Sequence, residues 1–244
     1  FSGTAGEFTC GSEGFVLKYD GDTRDTHDPI ITSSVEFTFI AQNTDDDDFF
    51  SDLADATDES IQIAIYRYAE PTLWWAGTLL TEQVEIVDEY YPYAVKLVAT
   101  DGLGHLSNKL YNDAGSPYTP GFQDFATIVL NCLNRTGTSD FWGVQFDSVY
   151  LKFADHIKPS NTSESDEFLS YAQVHTSTFI KEDEQNDARF YDCMTVLRSV
   201  CVTWNMRLFQ AYGRWWLVPV GAYIGSGTSM TFHGRKKTGV LAVD

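Results

Sequence analysis

A β-rich α+β fold is predicted by three features of this 244-residue sequence. Apolar and polar residues alternate over Val35, Phe37 and Phe39 and again over Ile61, Ile63 and Ile65, the period of half-buried strands. Two other stretches, Phe122 to Leu133 and Phe190 to Cys201, repeat their apolar residues at helical spacing. At Thr203 the period changes from helix back to strand. The expected organisation is therefore mainly antiparallel β structure from residues 1–103 together with 203–244, separated by a mixed α+β segment at 104–202 and finishing in a hairpin.

Composition supports a folded chain. It is 43% hydrophobic and 15% aromatic, with 17 Phe, 13 Tyr and 6 Trp, far from the make-up of a disordered polymer. The formal charge of −19 is unevenly spread: residues 1–60 hold 15 acidic and 2 basic side chains, whereas 181–244 hold 6 acidic and 8 basic ones. A balance this negative argues against a groove that grips nucleic acid or an anionic membrane. No run of about 18 apolar residues is present, so no membrane span is expected. The chain opens on Phe1, and Val240 to Asp244 reads as a strand without a closing cap, as expected of a processed chain or the ordered part of a longer one.

Taken in order, the elements follow from local chemistry. After the Val35 strand, Asp45 to Asp48 precede Phe49, Phe50, Leu53 and Ala54, and carboxylates there favour the amino end of a short helix. The same run fails as a calcium loop, because counting from Asp45 puts Phe49 and Phe50 where an oxygen ligand and a glycine belong. Leu73 to Leu80 reads as a strand in which Gly77 permits a close approach or a bulge. Val84 and Ile86 continue the β pattern, Tyr90-Tyr91-Pro92-Tyr93 interrupts it, and Val95, Leu97 and Ala99 resume it. Asp101-Gly102-Leu103-Gly104 is a turn in which Asp101 accepts from free amides and either glycine takes a positive φ. A helix is then expected with Thr119 as cap, Pro120 in its first turn, a stripe of Phe122, Phe125, Ala126, Val129, Leu130 and Leu133, and Gly137 just beyond. Residues 141–157 look β-like and 159–167 loop-like. A second helix is expected from about Asp187 to Val202, followed by a strand face of Trp204, Met206 and Leu208. Ala211-Tyr212-Gly213-Arg214 turns the chain, and Trp215 to Val220 returns with Trp215 and Trp216 on opposite faces.

Catalytic signatures are missing from the sequence: there is no GxSxG, HExxH, GxxxxGK[ST] or dinucleotide pattern. The cluster Gly225-Ser226-Gly227 lacks the lysine and the helix that a phosphate cradle needs. Five histidines stand apart, and four cysteines, Cys10, Cys132, Cys193 and Cys201, form no CxxC pair. Cys193 and Cys201 sit roughly 12 Å apart along one helix, too far to bridge. No enzyme activity, metal or cofactor is expected from these residues. Abundant carboxylates leave a cell-wall hydrolase as an alternative, since some pair must fall at glycosidase spacing.

The run Trp74-Trp75-Ala76-Gly77-Thr78-Leu79-Leu80, then Tyr91-Pro92-Tyr93, then Val98-Ala99-Thr100-Asp101-Gly102-Leu103-Gly104, resembles the amino-terminal hub region of bacteriophage tail-tip proteins, which include baseplate hub and tail-associated lysin proteins. A second landmark is similar: Tyr191 to Leu197, a helix with Leu197 in it, leading to Leu208 to Val218 with Gly213, Arg214, Trp215 and Trp216 at the turn. Together these frame roughly residues 30–220. The resemblance implies a barrel-like β domain with a mixed α+β domain inserted, assembled as a homotrimer that extends and closes the tail tube at the distal end of the virion's tail. It implies tail-tube and distal-tail proteins as partners, fibre or receptor-binding proteins beyond them, and DNA only in transit. Trp74, Trp75, Gly77, Asp101, Gly102, Gly104, Leu197, Gly213, Trp215 and Trp216 are then structural or interface residues. A capsid or adaptor protein of a virion and a carbohydrate-binding module remain as alternatives. An acidic first third suits a tube wall, because like charge keeps DNA from sticking, and equally suits plain solvation.

Overall fold

The computed structural model describes residues 9–20, 28–57, 59–67, 73–86, 90–111, 121–137, 151–154, 168–182, 188–220, 232–235 and 241–242. The expected cap Thr119-Pro120, the helix start at Asp187, the loop 159–167 and Gly225-Ser226-Gly227 fall outside these residues.

Five strands build the first sheet: β1 (Thr9–Asp20), β2 (Thr32–Ala41), β3 (Gln62–Tyr66), β4 (Leu73–Leu79) and β5 (Tyr93–Thr100), in the order β1-β2-β5-β4-β3 and antiparallel throughout. The sheet is curled into a half-barrel. Alternation does what the sequence implies: Val35, Val95, Leu97 and Ala99 are buried on the concave face, where Leu17, Phe37, Ile63 and Ile65 pack with Trp75. On the opposite face Glu36 of β2 is paired with Lys18 of β1 and Lys96 of β5, whereas Ala76 and Thr78 of β4 are buried. The β3–β4 register slips between Ile65 and Tyr66, opposite Trp75 and Leu73. The bulge is therefore at Trp74, and of the two roles expected of Gly77, a close approach or a bulge, it has the close approach, to the Thr100 backbone.

Helix α1 (Thr44–Ala54) packs against this sheet. The Asn43 side chain caps it by accepting from the Asp46 amide, Asp45, Asp46 and Asp47 fill its first turn, and Phe50 and Leu53 point into the core beside Phe39 and Leu79. After β4 the chain does not extend as a strand: Thr81–Gln83 is a 3₁₀ turn, and only Glu85 bridges to Lys96.

The second lobe holds the larger core. Helices α2 (Phe125–Leu133), α3 (Phe168–Tyr171) and α4 (Cys193–Thr203) pack beside a second sheet, in which β11 (Met206–Ala211), β12 (Arg214–Pro219), β7 (Leu151–Ala154), β13 (Phe232–Arg235) and β14 (Leu241–Ala242) lie in that order. Strand β12 runs parallel to β7 and the other pairs are antiparallel, so the mainly antiparallel expectation does not hold at that one pair. The middle segment thus places a strand between two strands of the final segment. Two small pairs, β6 (Phe122–Asp124) with β8 (Gln173–His175) and β9 (Ile180–Glu182) with β10 (Ala188–Phe190), flank the helices.

Both helices start later than their stripes suggest. Phe122 lies in β6 and is 72% exposed, and α2 begins only after Asp124, whose carboxylate accepts from the Thr127 amide and hydroxyl. Asp192 caps α4 in the same way through Thr195. At its other end α4 stops at Thr203, with Trp204 as its cap rather than a strand residue, and Asn205 at φ +50° reverses the chain into β11. Among the described residues no helix is long and apolar enough to cross a membrane.

Candidate functional site: a polar seam between the lobes

Strand β4 has a backbone problem that positions the site. It meets β5 only at Thr78 and Leu79, so Trp74 and Ala76 need partners from elsewhere. The hairpin β11–β12 supplies them. Gln210 donates from Nε2 to the Ala76 carbonyl at 2.9 Å and accepts the Ala76 amide on Oε1 at 3.1 Å. At the hairpin turn the Gly213 amide donates to the Trp74 carbonyl at 2.7 Å. Tyr212 and Gly213, at φ +53° and +67°, form the two-residue loop.

The other edge of β11 holds the entry to β2. The Leu208 amide donates to the Pro29 carbonyl and the Ile31 amide to the Leu208 carbonyl, at 2.8 and 2.9 Å. Arg207 Nε donates to the Asp28 carbonyl, and the Tyr19 hydroxyl to the Gln210 carbonyl. Strand β11 is therefore wedged between β4 and the chain leading into β2, while Met206, Leu208 and, behind them, Trp215 and Leu217 are buried in the second core.

A fully buried carboxyl sits at the centre. Asp101, directly after β5, accepts on Oδ2 from the Ser33 amide at 2.6 Å and the Ser33 hydroxyl at 2.8 Å, and on Oδ1 from the Leu103 amide at 3.0 Å. Ser33 Oγ in turn accepts from the Trp75 indole at 3.0 Å. A directed chain therefore runs from Trp75 through Ser33 to Asp101, joining β4, β2 and the turn after β5. Burial pushes the Asp101 carboxyl up to about 7, against the pull of its three donors. Tyr19 is pushed up as well, by burial first and then by Asp101.

Three glycines let the segments approach. A side chain on Gly102 (φ +83°) would put Cβ 2.1 Å from the Thr136 carbonyl oxygen, one on Gly213 would put it 2.5 Å from that of Leu73, and one on Gly77 would put it 2.2 Å from that of Thr100. No real Cβ contact is that short, so backbone would have to move. A second tie lies nearby: Glu59, at φ +64°, meets His105 Nδ1 at 3.1 Å and Lys109 Nζ at 3.0 Å.

Of the residues singled out in the sequence, Trp75, Gly77, Asp101, Gly102 and Gly213 converge on this seam, and Trp74 joins through its carbonyl while its half-buried ring packs edge-on against Phe15. Trp215 and Leu197 are buried in the second core, and Trp216 on the other face is half-buried, its indole donating to the Ala211 carbonyl. Gly104 does not belong: it is exposed, it opens the 3₁₀ turn Gly104–Asn108, and a Cβ there meets open space. Sequence reasoning missed Ser33, Gln210, Thr136 and Glu59. Gln210 and Ser33 had a signal, since each is a polar residue at an inward position of an alternating strand.

Chemically the seam is a clamp. Gln210, Ser33, Trp75 and Asp101 spend their polar groups on one another and on neighbouring backbone, and Asp101 has no exposed surface. Alongside it Tyr19, Ile31, Arg207 and Phe209 line a cavity of about 270 Å³. Among the described residues no group of three or more His, Cys, Asp or Glu could hold a metal ion. Comparisons with protein-family models, curated proteins and solved structures return no match to the chain.

Proposed function

We propose that this chain is a structural component of a bacteriophage tail tip, a baseplate hub that extends and closes the tail tube and anchors distal proteins. The observation that carries the reading is the seam. The two sequence landmarks that resemble hub proteins, the Trp74-to-Gly102 run and the Leu208-to-Val218 hairpin, meet in space, Gly213 to Trp74 backbone to backbone and the Gln210 side chain to the Ala76 backbone. Their spacing serves a shape, which is what a scaffold needs.

Sheet edges supply the route to assembly. Strands β1 and β3 end the curled sheet, and an edge is a template for pairing that a neighbouring copy would cover. In this reading three copies complete barrel-like walls around an axial opening, and segment 104–202 is the domain inserted in each. The carboxylates of α1 and its surroundings face either solvent or the passing DNA, and no chemistry is performed. Tail-tube and distal-tail proteins are the partners, with fibre or receptor-binding proteins beyond.

A reconstruction of the intact particle tests this. Density for three copies around the tail axis at its distal end is the expected result. Density in the capsid, or on a fibre without contact to the tube, overturns it.

A further inference from the structure

Thr78 and Gln62 form a polar pair where the end of α2 meets the first sheet. They stand opposite each other in the β3–β4 register, so their side chains leave the same face of the sheet, the convex one. Thr78 has no exposed surface, and its Oγ1 is buried without a hydrogen-bond partner among the described residues. Gln62 Oε1 is in the same position. Turning the Gln62 amide over gives no relief, because Nε2 donates to the Gly137 carbonyl and a carbonyl only accepts.

Buried oxygens of this kind almost always have a partner, either protein or ordered water. Opposed residues carry their Cβ atoms about 5 Å apart, and one water spans oxygens about 5.5 Å apart through two hydrogen bonds of about 2.8 Å each. Room comes from Gly137. A Cβ built on it would meet nothing nearer than Thr78 Cγ2 at 3.4 Å and Glu59 Oε2 at 3.8 Å, which are ordinary contacts. We propose that Thr78 Oγ1 and Gln62 Oε1 hold one internal water, which accepts from the Thr78 hydroxyl and donates to the Gln62 oxygen. The Glu59 carboxylate borders the same space and can take its second hydrogen.

A metal cation is the wrong occupant. Two neutral oxygens and one carboxylate fall short of the roughly six to eight that a hard cation collects, and that carboxylate already holds Lys109 Nζ at 3.0 Å and His105 Nδ1 at 3.1 Å. The water joins the Gln62–Gly137 contact and the Glu59 group into one network between the lobes. It does so whatever the chain assembles into.

Thr78→Val tests the site by the sign of its effect. Valine has the shape of threonine and suits a strand at least as well, so without a water it would merely remove an unsatisfied hydroxyl and raise stability. With the water it strands the Gln62 oxygen. The folding equilibrium constant of the whole chain, from urea unfolding, is then expected to fall about tenfold. A variant as stable as the parent, or more stable, overturns the proposal. Should Thr78→Val not fold, a high-resolution crystal structure of the parent decides the question by itself. A density peak within about 3.2 Å of both Thr78 Oγ1 and Gln62 Oε1 is expected, and no peak, or one ringed by about six oxygens at roughly 2.4 Å as a cation would be, overturns it.

Discussion

Gln210 serves as a strand partner for Ala76: its side-chain amide takes both backbone groups of a residue 134 positions away. An inward-facing glutamine on β11 thereby finishes a sheet that β5 leaves short. Gln210→Leu keeps the volume and strands a buried amide and carbonyl, so a loss of about 3 kcal/mol is expected. Gln210→Glu keeps the acceptor but sets a carboxylate against the Ala76 carbonyl, and is expected to cost at least as much. Urea unfolding measures both, and a Gln210→Leu variant as stable as the parent would refute the role.

Gly102 and Gly104 separate a required glycine from an incidental one. Gly102 combines φ +83° with a carbonyl oxygen 2.1 Å from any Cβ. Gly102→Ala should lose more than about 3 kcal/mol and Gly102→Val should not accumulate as folded protein. Gly104→Ala, with open space around it, should stay within about 0.5 kcal/mol of the parent. Thermal melts of the two alanine variants check the contrast.

The paired tryptophans of β12 should differ in the same measurement. Trp215 is fully buried, and Trp215→Ala should cost about 3–5 kcal/mol. Trp216→Ala loses a half-buried ring and one hydrogen bond to the Ala211 carbonyl, for about 1–2 kcal/mol. Equal melting of the two variants would contradict the facing of the strand.

Thiol reactivity reports the second core. Cys10 is exposed, while Cys132, Cys193 and Cys201 are buried, and none of the four is in a disulfide. Burial pushes Cys201 up to about 12 and raises Cys132 well above the usual thiol range, so neither supplies thiolate at neutral pH. Ellman's reagent should titrate one thiol in the native chain and four after unfolding. Fast reaction of a second native thiol would show that the packing between α2 and α4 is looser than described.

Where a pattern is local, the sequence was readable. Val35, Phe37 and Phe39 face the half-barrel's concave side as their alternation implies, α1 follows its acidic first turn, and Gly102 takes one of the positive φ angles expected of the turn. Helix starts were harder because apolar spacing continues through Phe122 and Phe190 into residues that pair as strands. Asp124-x-x-Thr127 and Asp192-x-x-Thr195, a cap and the residue whose amide it accepts, mark the true starts. Trp204 was misplaced because a helix end and a strand start both put an apolar residue there. The seam was half legible. Trp75, Gly77, Asp101 and Gly213 stand out as residues, but what unites them is contact between distant segments, across 68 positions from Ser33 to Asp101 and 134 from Ala76 to Gln210, and periodicity carries no such information.

That separation also has a meaning for synthesis. Tyr19 waits for Gln210 across 191 positions, and Ala76 for the same residue across 134. A ribosome will have released the whole half-barrel long before the hairpin that finishes it emerges, leaving the Ala76 amide and carbonyl without Gln210 in the nascent chain. Such long-range closure is slow, and a half-made sheet is prone to wrong pairing in the interval. Chains truncated before Met206 should therefore collect as aggregates instead of as a stable first lobe.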